Sequence, residues 1–197
     1  MSTNLKKVIE ALDKQAKNSH ELFNYAIPDT WLSFDYKGQK IKVHDGHVLV
    51  NPYRFYQSLI EEVFLKQDPK DLKSYYLDQT VEKNLGNGDW IKKSSVYSMM
   101  IRTTSSFDHD RTGRLEDSNL YQLKDTGTFI KTLAYLPLLK RMGIDVLYML
   151  PIAKYSLKDK KGELGSPYGV SNFYALDEGL KDPMTGDFTT VNDEFKA

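Results

Sequence analysis

The chain has 197 residues, with 27 lysines and arginines balanced by 27 aspartates and glutamates, and no cysteine. The missing basic excess argues against a nucleic-acid partner, which needs a positive face to displace counterions, and the missing thiols exclude disulfides, thiolate zinc sites and cysteine nucleophiles. No apolar run approaches the roughly 20 residues that span a bilayer, and the charged opening MSTNLKKVIEALDKQ has no signal-peptide core, so the expectation is a cytoplasmic protein without a membrane partner.

Along the chain, residues 4–17 place Leu5, Val8, Ile9 and Leu12 on one stripe, which predicts an amphipathic helix. KIKVHDGHVLV at 40–50 alternates around Asp45-Gly46, a dipeptide that accepts positive φ and so predicts a hairpin. Asn51 as N-cap and Pro52 in the first turn open a second helix that buries Phe55, Leu59, Ile60, Val63 and Phe64. A polar connection follows at 66–74, and the glycine-rich NLGNGDW at 84–90 reads as a boundary.

The second half is more regular. VYSMMIRT at 96–103 reads as a strand buried on both faces. Residues 126–142 read as a helix with Thr126 as a cap, Phe129, Leu133, Leu136 and Leu139 on one side, and a kink or restart at Pro137. Gly143 stands where a helix ends in the left-handed conformation, and DVLYMLPI at 145–152 is a second buried strand. Strand, helix, strand is a βαβ unit, which implies parallel strands and a right-handed crossover. Such folds bind ligands at the carboxyl ends of their strands. That edge holds the loop from Thr104 and the long excursion from Ala153 to about Leu180.

The first of these loops contains DHDRTGRLE, in which Asp108, Asp110, Thr112 and Glu116 offer oxygen donors and Gly113 a sharp turn. The spacing can wrap a hard cation such as calcium. An EF-hand is not expected, because the twelfth position is Asn119 and a strand precedes the loop. An ordinary solvated Asp/Gly turn accounts for the spacing equally well. His20, His44, His47 and His109 stand in no triad context. His44 and His47 flank the hairpin turn as solvent-facing residues, and Asp177 and Asp182 read as turn or cap residues. In the second loop, GSPYGVSNFYALD at 165–177 presents Tyr168. That ring either packs on its neighbours or offers a flat apolar face to a sugar.

Three runs, DWIKKSSVYSMMIRTTSSFDHD, GTFIKTLAYLPLLKRMGIDVLYMLPI and GSPYGVSNFYALDEGL, together resemble the opening of the alpha-amylase family barrel over roughly residues 88–197. The resemblance implies an α/β fold: the first βαβ part of a (β/α)8 TIM barrel at 88–197, preceded by a small accessory α+β region at 1–87. It implies an alpha-glucan or malto-oligosaccharide substrate. Tyr168 would be the ring that stacks on the sugar, with Asn172 and Tyr174 continuing the substrate-binding motif. Asn172 replaces the family's usual aspartate. DHDRTGRLE is similar to the family's calcium loop, so Asp108, Asp110, Thr112 and Glu116 would hold a structural calcium ion. The family's catalytic carboxylates follow later strands, so no catalytic residue is assigned and this stretch alone is expected to be inactive. A retaining glycoside hydrolase is the expectation; a glucanotransferase of the same family and a non-catalytic sugar-binding or scaffold protein are the alternatives.

Overall fold

The computed structural model describes residues 3–19, 23–43, 45–65, 88–158, 160, 162 and 164–197. The expected connection at 66–74, most of the glycine-rich boundary, His20 and His44 lie outside them.

Helix α1, Thr3–Asn18, buries Val8, Ala11, Leu12 and Ala16 along the expected stripe. Strands β1 (Tyr25–Pro28), β2 (Lys40–Lys42) and β3 (His47–Val50) form an antiparallel sheet in the order β1-β3-β2. Gly46 makes the β2–β3 turn at φ 78°, the conformation for which glycine carries no steric cost. Helix α2, Pro52–Leu59, starts as expected: the Asn51 side chain accepts from the Arg54 N–H at 3.1 Å. It runs on as a π-helical turn, Ile60–Leu65.

Strand β4 (Val96–Met99) and strand β5 (Val146–Met149) pair in parallel, as the βαβ pattern requires. The strand expected over 96–103 is shorter. After Met100 the chain turns into a single helical turn, α3 (Ile101–Thr104), whose Thr103 and Thr104 N–H groups bond back to the Met100 carbonyl. Gly127 permits this turn to pack closely, since a Cβ there would lie 1.9 Å from the Ile101 carbonyl oxygen. Nor is the pair covered on both faces among the described residues. Met99 is buried, whereas Val96 is 50% exposed and Tyr148 is 59% exposed.

The crossover comprises two short helices, α4 (Phe129–Thr132) and α5 (Leu136–Arg141), separated by a turn ahead of Pro137. The cap of α4 is Thr128, which accepts from the Lys131 N–H. The Thr126 hydroxyl, expected in that role, donates instead to Asp117 at 2.8 Å. Gly143 ends α5 at φ 78°. Beyond β5, strands β6 (Ala153–Tyr155) and β7 (Val170–Leu176) form an antiparallel hairpin. Helix α6 (Val191–Lys196) closes the chain with a reciprocal Thr190–Asp193 capping box.

The largest apolar cluster joins α1, the first sheet and α2 to Leu123, Ile130, Ala134 and Met184. The Tyr25 ring stacks on His109 at 4.0 Å, and the Ala26 N–H donates to the His109 carbonyl at 2.8 Å. Trp31 packs edge-on to Tyr135 at 5.6 Å. A smaller cluster of Met99, Ile101, Phe129, Leu180 and Val191 lies beneath the parallel pair. Among the described residues no helix is long and apolar enough to cross a membrane.

Candidate functional site

Both chain excursions expected to carry function leave the carboxyl ends of β4 and β5. The first turn beyond β4 places Arg102, which is nearly buried, between them and the hairpin. Its guanidinium donates to the Leu164 carbonyl at 2.9 Å, the Gly165 carbonyl at 3.2 Å and Asp177 Oδ2 at 2.9 Å. Its plane also lies 4.6 Å from the Tyr155 ring centroid. A rigid fork of donors suits this convergence of three acceptors and an aromatic face; a lysine could not reproduce it. Gly165, at φ 66°, lets the chain pass Tyr155, because a Cβ there would lie 2.9 Å from that ring.

On this support the turn preceding β7 carries Tyr168, 62% exposed, closed by the Gly169 N–H donating to the Ser166 carbonyl at 3.1 Å. Asn172 and Tyr174 alternate with Phe173 along β7, so the first two share one face and Phe173 takes the other. Tyr174 is fully exposed. The Asn172 side chain accepts from the Tyr174 N–H at 2.8 Å, so its oxygen is engaged locally. Asp177 caps the next turn through the Gly179 N–H, and Asp182 caps the following one through the Met184 N–H, as their sequence contexts suggested.

The loop after α3 gathers three carboxylates, two of them from the expected set. Asp108, Asp110 and Asp125 each bring an oxygen within 4.8 Å of the others. Thr112 contributes its hydroxyl, which bonds to Asp110, as well as its backbone N–H, and Glu116 contributes a backbone donor. The Thr112 N–H bonds to both Asp108 and Asp110, and the Glu116 N–H bonds to Asp125 at 3.1 Å. Gly113 and Leu120 add further N–H bonds to Asp108 and Asp110. Asp125 is completely buried and also accepts from Asn119 at 2.8 Å. Burial pushes its carboxyl above the usual range, against the hydrogen bonds from Asn119, Glu116 and His109, and Asp110 adds to the rise. For Asp110 burial acts in the same direction, but the hydrogen bonds from Leu120 and Thr112 outweigh it and hold its carboxyl low. Among the described residues no lysine or arginine forms an ion pair with any of the three. An all-oxygen, net-negative set of this kind fits a hard cation.

Sequence spacing missed Asp125, which folds back to the loop fifteen positions after Asp110 and carries no local signal beyond standing just before the helix cap. It also placed Arg102 inside the strand expected at 96–103, with no role of its own. His109 is no base: its Nδ1 lies 2.7 Å from the Ala26 carbonyl, and its Nε2 is buried. Burial holds the imidazole well below its usual range, and nearby Lys131 adds to this against the Ala26 bond. His47, expected in solvent, is half-buried and edge-on to Phe107 at 4.9 Å.

No family model matches the chain. Its similarity to a protein of known activity is to a glycosyl-transferring enzyme. That relative is the alpha-1,4-glucan:maltose-1-phosphate maltosyltransferase of Mycolicibacterium smegmatis, 28% identical over 137 residues. The match takes in 62% of this chain and 18% of the relative, so the chain spans less than a fifth of that protein's length.

Proposed function

We propose that the chain is part of a carbohydrate-active enzyme of the alpha-amylase type, that it opens the parallel barrel of such an enzyme, and that it binds alpha-glucan. The observation that carries this reading is the hairpin buckled by Arg102 and Asp177 beyond the β4–β5 pair, which presents Tyr168 with its ring open. A tyrosine fixed on a rigid base offers apolar area at little cost in ordering. Asn172 and Tyr174 extend the same contact surface along β7.

The relative is a maltosyltransferase, which favours glycosyl transfer over the hydrolysis expected from the resemblance. The residues here would bind and orient the donor or acceptor chain. Asp108, Asp110 and Asp125 would hold a calcium ion that stiffens their own loop. Its chemistry there is structural: neutralising three carboxylates.

Calorimetric titration of the chain with maltoheptaose tests the reading, beside Tyr168→Ala. Saturable binding that the substitution weakens supports it. Absence of binding, or binding that Tyr168→Ala leaves unchanged, overturns it.

A further inference from the structure

The corner where α6 meets the turn at 182–189 has more polar contacts than hydrogens to fill them. Glu194 is buried, with Oε1 2.7 Å from Thr185 Oγ1 and 3.0 Å from Thr189 Oγ1. The two threonine oxygens are themselves 2.7 Å apart, and Thr185 Oγ1 lies 2.9 Å from the Asp182 carbonyl oxygen. These are four oxygen–oxygen contacts, each needing a hydrogen. The two hydroxyls supply one each, and a carbonyl or a carboxylate supplies none. With Glu194 ionised, two of the contacts would set lone pairs against lone pairs in a buried place.

A proton on Oε1 supplies a third hydrogen and halves the shortage, from two contacts to one. Glu194 then donates to Thr185, Thr185 to the Asp182 carbonyl, and Thr189 to Thr185 or to the acid. The remaining oxygen, Oε2, accepts from the Asp182 N–H at 2.9 Å in either state.

The charged surroundings point the same way. Asp182, whose charge also acts on Glu194, has its own oxygens taken by the Thr128 hydroxyl at 2.5 Å and the Met184 N–H at 2.9 Å. Lys181 directs its ammonium to the Gly186 carbonyl at 2.7 Å and to Thr185 at 3.3 Å. From α1, Lys7 is committed to Asp193 on the outer side of α6, and Lys14 lies over the Phe188 ring. From α4, Lys131 donates to the Lys124 and Thr126 carbonyls. Lys196 follows on the exposed end of α6, and Asp187 is exposed on the turn. Burial raises the Glu194 carboxyl to about 7, with Asp182 adding to the effect and the Thr185 hydroxyl, the Asp182 N–H and Lys181 opposing it.

We propose that Glu194 stands in the folded protein as a neutral carboxylic acid, and that its ionisation is a pH-sensitive latch loosening α6 from the turn at 182–189. The sign follows from linkage. Between the unfolded and folded midpoints the folded state binds the extra proton, so stability falls as pH rises through that window and levels off above it.

The test is a titration of the whole chain with ¹³C-labelled glutamate side-chain carboxyls. One carboxyl is expected to titrate near 7 and to vanish in Glu194→Gln. A full set of glutamates titrating in the ordinary range overturns the proposal. In thermal unfolding between pH 5 and 8, the folded-to-unfolded ratio of the native chain should fall relative to Glu194→Gln by up to about tenfold per pH unit within the window. Parallel curves overturn it. Should Glu194→Gln fail to fold, amide hydrogen exchange of the native chain serves instead: protection of the α6 amides, corrected for the intrinsic rate, should fall as pH rises through the carboxyl's midpoint, and protection that stays constant refutes the latch.

Discussion

Arg102 and Asp177 meet at 2.9 Å across 75 residues of sequence, with their side chains 10% and 8% exposed. Removing one member of such a buried pair strands the other charge, which costs about 3–5 kcal/mol. Arg102→Met and Asp177→Asn should each destabilise strongly in urea unfolding. Arg102→Met combined with Asp177→Asn should cost markedly less than the sum. Additive losses would show that the two side chains act independently.

Tyr168 should behave in the opposite way, because its ring is largely outside the core. Tyr168→Ala is expected to leave unfolding free energy within about 0.5 kcal/mol of the native value. Maltoheptaose affinity should fall about tenfold, as the loss of one ring face's apolar burial implies. Calorimetry and thermal unfolding on the same samples separate the two effects.

In the acidic loop the expected set and the folded set make different forecasts. Calcium titration should lose its heat signal in Asp125→Asn and Asp108→Ala, whereas Glu116→Gln should retain it, since Glu116 enters only through its backbone. Affinity should also decline on acidification before ordinary carboxylates protonate, because burial raises the Asp125 carboxyl and a protonated acid cannot serve as an anionic ligand. Equal effects from Asp125→Asn and Glu116→Gln would restore the spacing-based set.

His109 gives the fold an acid sensitivity. Its folded pKa is depressed well below the ordinary 6.5, so the unfolded chain takes up a proton that the folded one refuses. Its contribution is complete above about 6.5 and is lost as pH falls below that value. This slope opposes that of Glu194, so the native curve alone mixes the two. In His109→Phe unfolding below pH 6.5 should become less acid-dependent, and an unchanged slope would place the acid sensitivity elsewhere.

Where a conformation is decided within a few residues, the sequence was legible. Asn51-Pro52, Asp45-Gly46 and Gly143 all do in the fold what their local chemistry requires. The parallel pairing of β4 and β5 was legible too, because a strand–helix–strand pattern admits few topologies. Other features depended on partners far along the chain. The strand at 96–103 stops at Met99, and Arg102 beyond it is fixed by acceptors more than sixty residues away. Thr128 displaces Thr126 as the cap, its hydroxyl being held by Asp182 at 2.5 Å. Asp125 joins Asp108 and Asp110 only because the loop doubles back, with the Asp125 N–H donating to the Glu116 carbonyl at 2.8 Å.

The stack of Tyr25 on His109, with Trp31 against Tyr135, has a consequence for any attempt to cut the chain. A truncation beginning at residue 88 would bare Leu123, Ile130, Ala134 and Met184, which now lie in the same cluster as the first sheet and its helices. The stretch that bears Tyr168 and the three aspartates would then carry a sticky flank, prone to aggregate. The described residues of 3–65 thus act as an internal brace for that stretch, and a graft or excision of it has to bring the brace along.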